Sequence, residues 1–351
     1  MNKVTIKDIA RKLQVSATTV SNALNGKPGV GKAARKRILQ LAKEMGYQPN
    51  YFAKGLVSRQ SYAIALVITN IADPFYPQLA LGVQEKANAY GYSTMLFNTN
   101  HSIESEKQII QMLGSKGVDG VILSTVEQDD PNIDLLEDLE LPFVLVNRLI
   151  LNPKKASRID SVSLDNYGGA YKAAMHLCRM GHTKIAIIAG DMASSTAIMR
   201  TQGAKDALAE FGVTVPGEWF VVSGYTKENA FDATRHLLSR KERPTAILAQ
   251  DDNMALGVRE AAFVSGFKIP EDLALVGFNN IGFSSLTGIE LTTVGQDQHA
   301  MGMAGAEMLI HKLQHSPHPG ISSKIVMETE LVIRKSCGYH LKTQEQTSPS
   351  E

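Results

Sequence analysis

The sequence predicts an α/β protein in which a small helical headpiece precedes a larger body of parallel sheets flanked by helices. Apolar residues recur at helical spacing through residues 5–25, which is typical of short amphipathic helices. From Tyr62 onward, short apolar runs alternate with helical patterns in two similar series, one before and one after about Asp160. A length of 351 residues accommodates two or three domains.

The opening stretch predicts two short helices joined by a tight turn. Thr5 and Asp8 form a T-x-x-D start signal, because the threonine hydroxyl can cap backbone amides and a carboxylate favours the positive end of a helix. Ser16 is a candidate N-cap for a second helix that ends at Leu24. The apolar inner faces of the two helices comprise Ile6, Ile9, Ala10, Leu13, Val20, Ala23 and Leu24.

The outer face of the second helix carries the small side chains of Ala17, Thr18 and Asn22. A helix that lies in a DNA major groove needs an outward surface of this kind to approach the edges of the bases. The first two helices are therefore predicted to form a helix-turn-helix.

A third helix is predicted to follow a Gly/Pro turn and to end near Met45. Its start is strongly basic, which suits contacts to phosphates beside a reading helix. The basic residues are Lys32, Arg35, Lys36 and Arg37. An alternative interpretation is a phosphate-binding P-loop, because Gly26-x-x-x-x-Gly31-Lys32 matches most of that motif. Ala33 in place of Ser or Thr, and a helical pattern where a strand should precede, argue against it.

The formal net charge of +1 hides an uneven distribution. Residues 1–60 contain twelve Lys/Arg and two Asp/Glu, whereas the remainder contains 24 basic and 33 acidic residues. A basic N-terminal segment on an acidic remainder indicates that a polyanionic partner binds the N-terminal segment alone.

The sequence also favours a reducing compartment. Two cysteines, Cys178 and Cys337, do not provide a disulfide framework. The apolar runs are too short to span a bilayer, and the N-terminus lacks the apolar core of a signal peptide. We therefore expect a cytoplasmic protein with no membrane segment, and no motif indicates a cofactor.

The body is predicted to contain βα units in two half-domains. Expected strands are Ala63–Ile68, Thr94–Phe97, Val121–Leu123, Phe143–Val146, Lys184–Ala189, Trp219–Val222, Ala246–Ala249 and Leu273–Val276. Expected helices are Phe75–Tyr90, Glu104–Ser115, Tyr167–Met180, Ala197–Phe211, Lys227–Ser239, Asp252–Ser265 and Gln298–Gln314. Two such half-domains leave a cleft at the carboxyl ends of the strands, where open α/β sheets bind ligands.

The chain resembles the lactose/galactose-repressor (LacI/GalR) family of bacterial transcription factors over residues 3–339. The resemblance rests on residues 5–25 and on an ordered series of short motifs, whose combination is far more specific than any one of them. The motifs are Tyr47-x-Pro49-Asn50-x-x-Ala53-x-x-Leu56, Asp73-Pro74-Phe75-Tyr76, Asn147-Arg148, Asp165-Asn166-x-x-Gly169-Ala170, Gly181-His182-x-x-Ile185-Ala186, Arg200-x-x-Gly203, Asp252-x-Met254-Ala255-x-Gly257, Val276-Gly277-Phe278, Leu291-Thr292-Thr293-Val294 and Gln296.

This resemblance implies a helix-turn-helix headpiece, a hinge helix and a two-lobed core similar to periplasmic sugar-binding proteins, with three crossovers between the lobes. It implies a repressor that binds a palindromic operator as a homodimer, with a tetramer left open, and that responds to a small ligand between the lobes. The segments are 1–48 for the headpiece, 49–61 for the hinge and linker, about 62–160 plus 292–320 for lobe one, about 161–291 plus 321–339 for lobe two, and 340–351 for a disordered tail.

By position, the resemblance also assigns DNA contacts. It assigns base reading to Ala17, Thr18 and Asn22, phosphate contacts to Thr5, Ser16, Thr19, Ser21 and Asn25, and minor-groove contacts to Ala53, Lys54 and Leu56. Leu56 matches a leucine that wedges into the minor groove and kinks the central step. Asn22 stands where many members have arginine, which removes a bidentate guanine contact. We therefore predict that specificity depends on phosphate positioning, dimer spacing and a deformable operator centre.

The resemblance assigns effector binding to residues at the ends of βα units. These are Asp73, Phe75, Asn147, Arg148, Arg200, Tyr225, Asp251, Asn279 and Gln296. Their polar groups can bind vicinal hydroxyls or a carboxylate, and the two aromatic rings can stack on a ligand ring. Asn147 and Asn279 replace aspartates that are common in relatives, whereas both arginines are retained. A sugar, sugar acid or sugar phosphate is therefore expected, with a purine-type corepressor as the alternative.

Two other classes of protein are weaker alternatives. An enzyme on the α/β body has no support from G-x-S-x-G, H-E-x-x-H or a complete P-loop. Cys178 has His176 and His182 nearby in sequence, but a buried structural cysteine is the default in an apolar helix. A transport binding protein would be expected to carry a signal peptide and has no need of a basic N-terminal segment.

Overall fold

The computed structural model describes residues 4–24, 26–47, 60–315 and 322–341. The chain divides into two compact units, Met1–Ser61 and Tyr62–Glu351, and the division falls where the sequence pattern changes. The predicted hinge helix lies outside the described residues, and so do the predicted DNA contacts Asn25, Ala53, Lys54 and Leu56.

The first unit contains the three predicted headpiece helices. They are α1 (Ile6–Leu13), α2 (Ala17–Leu24) and α3 (Lys32–Glu44). Ile9, Val20 and Ile38, one from each helix, form the centre of a small core and are almost fully buried. Because α2 and not a strand precedes the Gly-rich turn, the context that a P-loop requires is not present here.

Local capping explains where the headpiece helices begin. The Thr5 hydroxyl accepts a hydrogen bond from the Asp8 amide at 3.4 Å, and the Asp8 carboxylate accepts one from the Thr5 amide at 3.0 Å. This reciprocal pair is a capping box. The Ser16 hydroxyl accepts from the Thr19 amide at 3.0 Å and so satisfies a free amide at the start of α2.

The second unit consists of two lobes, each built on a six-stranded sheet. Lobe one contains β1 (Ala63–Ile68), β2 (Ser93–Asn98), β3 (Gly120–Ser124), β4 (Phe143–Val146), β5 (Ser161–Leu164) and β11 (Lys324–Met327). Lobe two contains β6 (Ile185–Ala189), β7 (Phe220–Val222), β8 (Ala246–Ala249), β9 (Ala274–Asn279), β10 (Thr292–Gly295) and β12 (Glu330–Val332).

The strand orders of the two sheets correspond. They run β11-β5-β4-β3-β1-β2 in lobe one and β12-β10-β9-β8-β6-β7 in lobe two. All pairings are parallel except that of β10 with β12. The central strands are buried throughout, because helices cover both faces of each sheet.

Helices cover the sheets of both lobes. Lobe one carries α4 (Phe75–Ala89), α5 (Ile103–Lys116), α6 (Asn132–Asp138), α7 (Pro153–Ala156) and α12 (Gln298–Gln314). Lobe two carries α8 (Asn166–Arg179), α9 (Ser195–Glu210), α10 (Lys227–Leu238) and α11 (Asp252–Val264). Two glycines allow α4 and α12 to approach closely. A Cβ at Gly82 would lie 2.0 Å from the His299 carbonyl oxygen, and one at Gly302 would lie 2.1 Å from the Leu79 carbonyl oxygen.

The chain crosses between the lobes three times, but later than predicted. The crossovers follow β5, β10 and β11, whereas the predicted boundaries before residues 161, 292 and 321 each fall one strand too early. The reason is that β5 pairs with β4, β10 with β9, and β11 with β5. Sheet membership depends on a partner strand that is distant in sequence, so local periodicity could not locate the boundary.

The C-terminal end also differs in part from the prediction of a disordered tail from residue 340. Residues 339–341 form a helical turn, and the Leu341 amide donates to the Gly338 carbonyl at 3.1 Å. Residues 342–351 lie outside the described residues. Within the described ranges, no helix is both long enough and apolar enough to cross a membrane.

Candidate functional site

A narrow polar cavity lies between the lobes, at the carboxyl ends of strands from both sheets. Eight of the nine residues assigned to effector binding line this cavity, and Gln296 does not. The full lining is Thr69, Asp73, Phe75, Tyr76, His101, Asn147, Arg148, Thr196, Arg200, Tyr225, Asp251 and Asn279. Its volume is about 30 Å³ in this structure, which suffices for one or two water molecules. A ligand the size of a sugar therefore requires side chains or lobes to move apart.

Arg200 is held rigidly in the lobe-two wall. Its Nε donates to Asn166 Oδ1 at 2.8 Å, and its two terminal nitrogens donate to the Gln250 carbonyl at 2.5 Å and to Asn279 Oδ1 at 3.3 Å. The guanidinium stacks 3.7 Å from the centre of the Phe278 ring. Burial lowers the pKa of Arg200. Since all of these partners are neutral, the guanidinium keeps its charge available to the cavity.

Arg148 forms the opposing wall in lobe one and has fewer partners. It donates to the Thr125 carbonyl at 3.2 Å, and its guanidinium carbon lies 5.8 Å from the centre of the Tyr225 ring in lobe two. Arg148 and Arg200 are only 6% and 3% exposed. Among the residues that the structure describes, no carboxylate forms an ion pair with either arginine.

Two carboxyl groups lie at the same cavity, that of Asp251 buried and that of Asp73 half-buried. Asp73 Oδ1 accepts from the Phe75 amide at 2.9 Å, and burial raises the pKa of Asp73 despite this bond and the nearby arginines. Asp251 caps α11 by accepting from the Met254 amide at 2.6 Å. Burial, and then the charge of Asp73, raise the pKa of Asp251 well above its ordinary value. Each carboxyl is therefore a suitable acceptor, or when protonated a donor, for a ligand hydroxyl.

Aromatic and amide groups complete the lining. The Tyr225 hydroxyl lies 2.9 Å from Thr196 Oγ1, which places its ring beside Arg148. Asn147 has a positive φ of 70° and is 8% exposed. Its Oδ1 is buried without a hydrogen-bond partner. A buried acceptor of this kind is costly unless something donates to it.

Gln296 departs from its predicted role. It lies at the second crossover, where its Nε2 donates to Asn279 Oδ1 at 2.7 Å. It lines a separate polar cavity of about 560 Å³ beside residues 328–330 and does not line the narrow cavity. Gln296 therefore holds the side chain of Asn279, a cavity residue, without lining the cavity itself. The sequence could not reveal this, because residues 295–299 lead from one lobe into the other.

Sequence reasoning missed four residues of the cavity: Thr69, Tyr76, His101 and Thr196. Tyr76 ends the Asp73-Pro74-Phe75-Tyr76 motif and could have been included on that signal. Its hydroxyl accepts from Thr69 Oγ1 at 2.7 Å and donates to the Ser124 carbonyl at 3.3 Å. His101 and Thr196 lie in a loop and at a helix start, and carry no pattern that distinguishes them from solvated residues.

Asp252, next to the helix cap Asp251, has a structural role. Its carboxylate accepts from the Ile281 amide at 2.9 Å, Ser284 Oγ at 2.7 Å and Thr293 Oγ1 at 2.6 Å. Burial raises its pKa to about 6 although these donors lower it. The side chain therefore ties α11 to the segment between β9 and β10.

The predicted DNA-reading surface lies on α2 of the headpiece. Ala17 and Thr18 are exposed and Asn22 is half-buried. Three of the predicted phosphate-contact side chains are already engaged with neighbours. Thr5 Oγ1 donates to Asp8 Oδ2 at 2.6 Å, and the Ser16 and Thr19 hydroxyls lie 2.8 Å apart. Lys32, Lys36 and Arg37 are exposed at the start of α3.

Two protein-family models match the chain. Residues 5–50 match the model described as bacterial regulatory proteins, lacI family. Residues 61–333 match the model described as periplasmic binding proteins and sugar binding domain of the LacI family.

Curated relatives align over nearly the whole chain. Catabolite control protein A of Priestia megaterium is 32% identical over 307 residues, which cover 87% of this chain and 91% of the relative. The HTH-type transcriptional repressor PurR of Haemophilus influenzae is 30% identical over 334 residues, which cover 95% and 98%.

Solved structures show the same architecture. The lac repressor dimer bound to operator and the anti-inducer ONPF superposes with a TM-score of 0.84 at 25% identity, over 96% of this chain and 99% of that one. The transcriptional regulator CelR in complex with cellobiose superposes with a TM-score of 0.73 at 29% identity, over 95% and 100%. The chain therefore belongs to the LacI family of bacterial regulatory proteins, DNA-binding transcriptional repressors under the control of a small ligand.

Proposed function

We propose that the effector of this repressor is a sugar that carries an acidic group, either a sugar acid or a sugar phosphate. The observation that carries the proposal is the pair of guanidiniums in the cavity. Arg148 and Arg200 are both buried, and neither has a carboxylate ion-pair partner within the described chain. A buried guanidinium gains from an anion that pairs with it directly, so an anionic ligand group would be bound strongly between the two arginines.

The remaining lining suits the hydroxyl groups of a sugar. Asn147 offers an unpartnered acceptor, Asp73 and Asp251 offer carboxyl oxygens, and Phe75 and Tyr225 offer ring faces. The family model for sugar-binding domains and the cellobiose complex of CelR support a carbohydrate. A purine could stack on the same rings, but it carries no anionic group to place between the two guanidiniums.

A thermal-shift measurement on the full-length protein tests this choice. Glucuronate and glucose 6-phosphate are compared with glucose and hypoxanthine, each at the same concentration. An acidic sugar present at 100 times its dissociation constant should add roughly 2.7 kcal/mol of stability. The matched variant Arg148→Gln should lose most of that gain. An equal shift with glucose, or a shift with hypoxanthine alone, would rule out the acidic-sugar proposal.

We further infer that a homodimer presents two copies of α2 to successive major grooves of a palindromic operator. The exposed Ala17 and Thr18, the half-buried Asn22 and the basic start of α3 support this arrangement. The lac repressor dimer on its operator provides the geometric parallel. A protein that binds chromosomal DNA in a bacterium would act in the cytoplasm, and we assign its cavity a binding role and not a catalytic one.

A further inference from the structure

Two hydrogen bonds join the lobes at one rim of the cavity. The Leu149 amide in lobe one donates to the Ser195 hydroxyl in lobe two at 2.7 Å. Nearby, the Gln128 amide in lobe one donates to the Ala193 carbonyl in lobe two at 2.8 Å. Both donors belong to segments that follow strands of lobe one, and both acceptors lie at the start of α9. We call these two bonds the rim latch.

The segments on each side of the rim latch are themselves ordered. In lobe one, the Leu151 amide donates to the Gln128 carbonyl at 2.9 Å, which joins the two donor segments. In lobe two, Asp191 Oδ1 accepts from the Ala193 amide at 2.9 Å, and the Asp191 carbonyl accepts from Ser194 Oγ at 2.7 Å. Because each side is held as a unit, breaking one bond of the latch should weaken the other.

Ser195 connects the segments that carry the two arginines of the cavity. It is fully buried and is the first residue of α9, the helix that also carries Arg200. Its partner Leu149 directly follows Asn147 and Arg148 in the chain. The Ser195 hydroxyl therefore joins the segment that carries Arg148 directly to the helix that carries Arg200.

We propose that Ser195 is a positioning residue whose hydroxyl holds the lobes together at the rim and thereby sets the spacing between Arg148 and Arg200. The inference rests on the proposed function only in treating the cavity as the effector site. The bond itself can be tested without effector or DNA. Replacing Ser195 with alanine removes the hydroxyl, leaves the Leu149 amide without its acceptor and should favour separation of the lobes at this rim.

Hydrogen exchange followed by mass spectrometry on the full-length protein measures the latch directly. In Ser195→Ala, peptides covering residues 126–130 and 147–151 should exchange about fivefold faster, as expected for the loss of one neutral hydrogen bond. Peptides from β1 should keep their exchange rate. In Ser195→Cys, where a thiol replaces the hydroxyl as a weaker acceptor, the rim peptides should show an intermediate rate. This variant decides the question alone if the alanine variant does not fold.

The control is Thr234→Ala, which also removes a buried hydroxyl from lobe two. Thr234 Oγ1 donates to the Ala230 carbonyl at 2.7 Å, so its hydrogen bond stays within α10. Unchanged exchange at the rim in both Ser195 variants would overturn the proposal. Equal acceleration of the rim peptides by Thr234→Ala would also overturn it, because the effect would then be general loosening of lobe two.

Discussion

The two lobes share one sheet order, yet they supply very different halves of the cavity. In lobe two, Arg200 is held by three hydrogen bonds and a ring stack. One of its acceptors belongs to Gln250, whose side chain is fixed by the Gly190 amide at 3.0 Å and Thr201 Oγ1 at 2.7 Å. In lobe one, Arg148 makes a single hydrogen bond within the described residues. Lobe two thus offers a preorganised surface, whereas lobe one offers groups that can adjust to a ligand.

The lobes also bury an acid in contrasting ways. Asp252 in lobe two receives three hydrogen bonds from separate donors. Glu106 in lobe one accepts a hydrogen bond from Asn132 Nδ2 at 3.0 Å and lies beside Asp130. Burial, and next the charge of Asp130, raise the pKa of Glu106 to about 7. Burial raises the pKa of both acids, but three donors favour the ionised form of Asp252, whereas the charge of Asp130 opposes ionisation of Glu106.

The sharpest test of the contrast is to remove each arginine in turn. Arg200→Met should lower the free energy of unfolding by about 3 kcal/mol, because buried acceptors of Asn166, Gln250 and Asn279 lose a donor. Arg148→Met should lower the free energy of unfolding by only about 1 kcal/mol, since the Thr125 carbonyl loses one hydrogen bond. Urea unfolding of the two variants beside the wild type measures both values. Equal losses of unfolding free energy in the two variants would show that Arg148 and Arg200 are held equally firmly.

The second test is the pH dependence of stability through Glu106. An acid whose folded-state pKa is raised from 4.5 to about 7 leaves stability intact at low pH and reduces it as the pH rises through this interval. Glu106→Gln removes the ionisation, and its amide can still accept from Asn132 and donate to Asp130. The variant should therefore exceed the wild type by about 2 kcal/mol at pH 8 and show little gain at pH 4.5.

Urea unfolding at several pH values measures this difference, with Asp252→Asn as the contrasting variant in lobe two. An asparagine there retains one oxygen for three donors, so it should be less stable than the wild type at pH 8. A gain at pH 8 in both variants would mean that the lobes do not differ in how they hold a buried acid.

The smallest expected effect concerns two tyrosine hydroxyls of the cavity. Tyr76→Phe in lobe one should cost about 1 kcal/mol, because Thr69 Oγ1 and the Ser124 carbonyl both lose a partner in a buried site. Tyr225→Phe should cost less than about 0.5 kcal/mol, since Tyr225 is half-buried and water can replace it. The urea midpoints of the two variants check the order. The expected order limits the contrast to the arginines, because here the lobe-one hydroxyl is the more firmly held. A reversed order would extend the adaptability of lobe one to its tyrosine.

Local features were predicted from the sequence with good accuracy. The capping residues Thr5, Asp8 and Ser16 act as predicted, because a cap involves residues only three apart. The bounds of β1, β4 and β8 also match, since each is a continuous apolar run buried on both faces. The family, and the control of DNA binding by a ligand, followed from the ordered motifs and are confirmed by the comparisons.

Features that depend on distant partners were predicted less well. The strands β5, β10, β11 and β12 were missed, because they are short, are not continuous apolar runs like β4 and β8, and pair over long range. Gln296 was assigned to the cavity, but it supports Asn279 from the crossover.

The sequence by itself determined the two-part organisation and the helix-turn-helix, because periodicity, caps and charge are local properties of a chain. The family resemblance supplied eight of the side chains that line the cavity. Only the tertiary structure decided which sheet each short strand joins. It also decided that two buried arginines face each other without a carboxylate partner in the described chain, and that Ser195 ties the lobes together. These depend on hydrogen bonds and burial between residues far apart in sequence, which are set when the lobes pack.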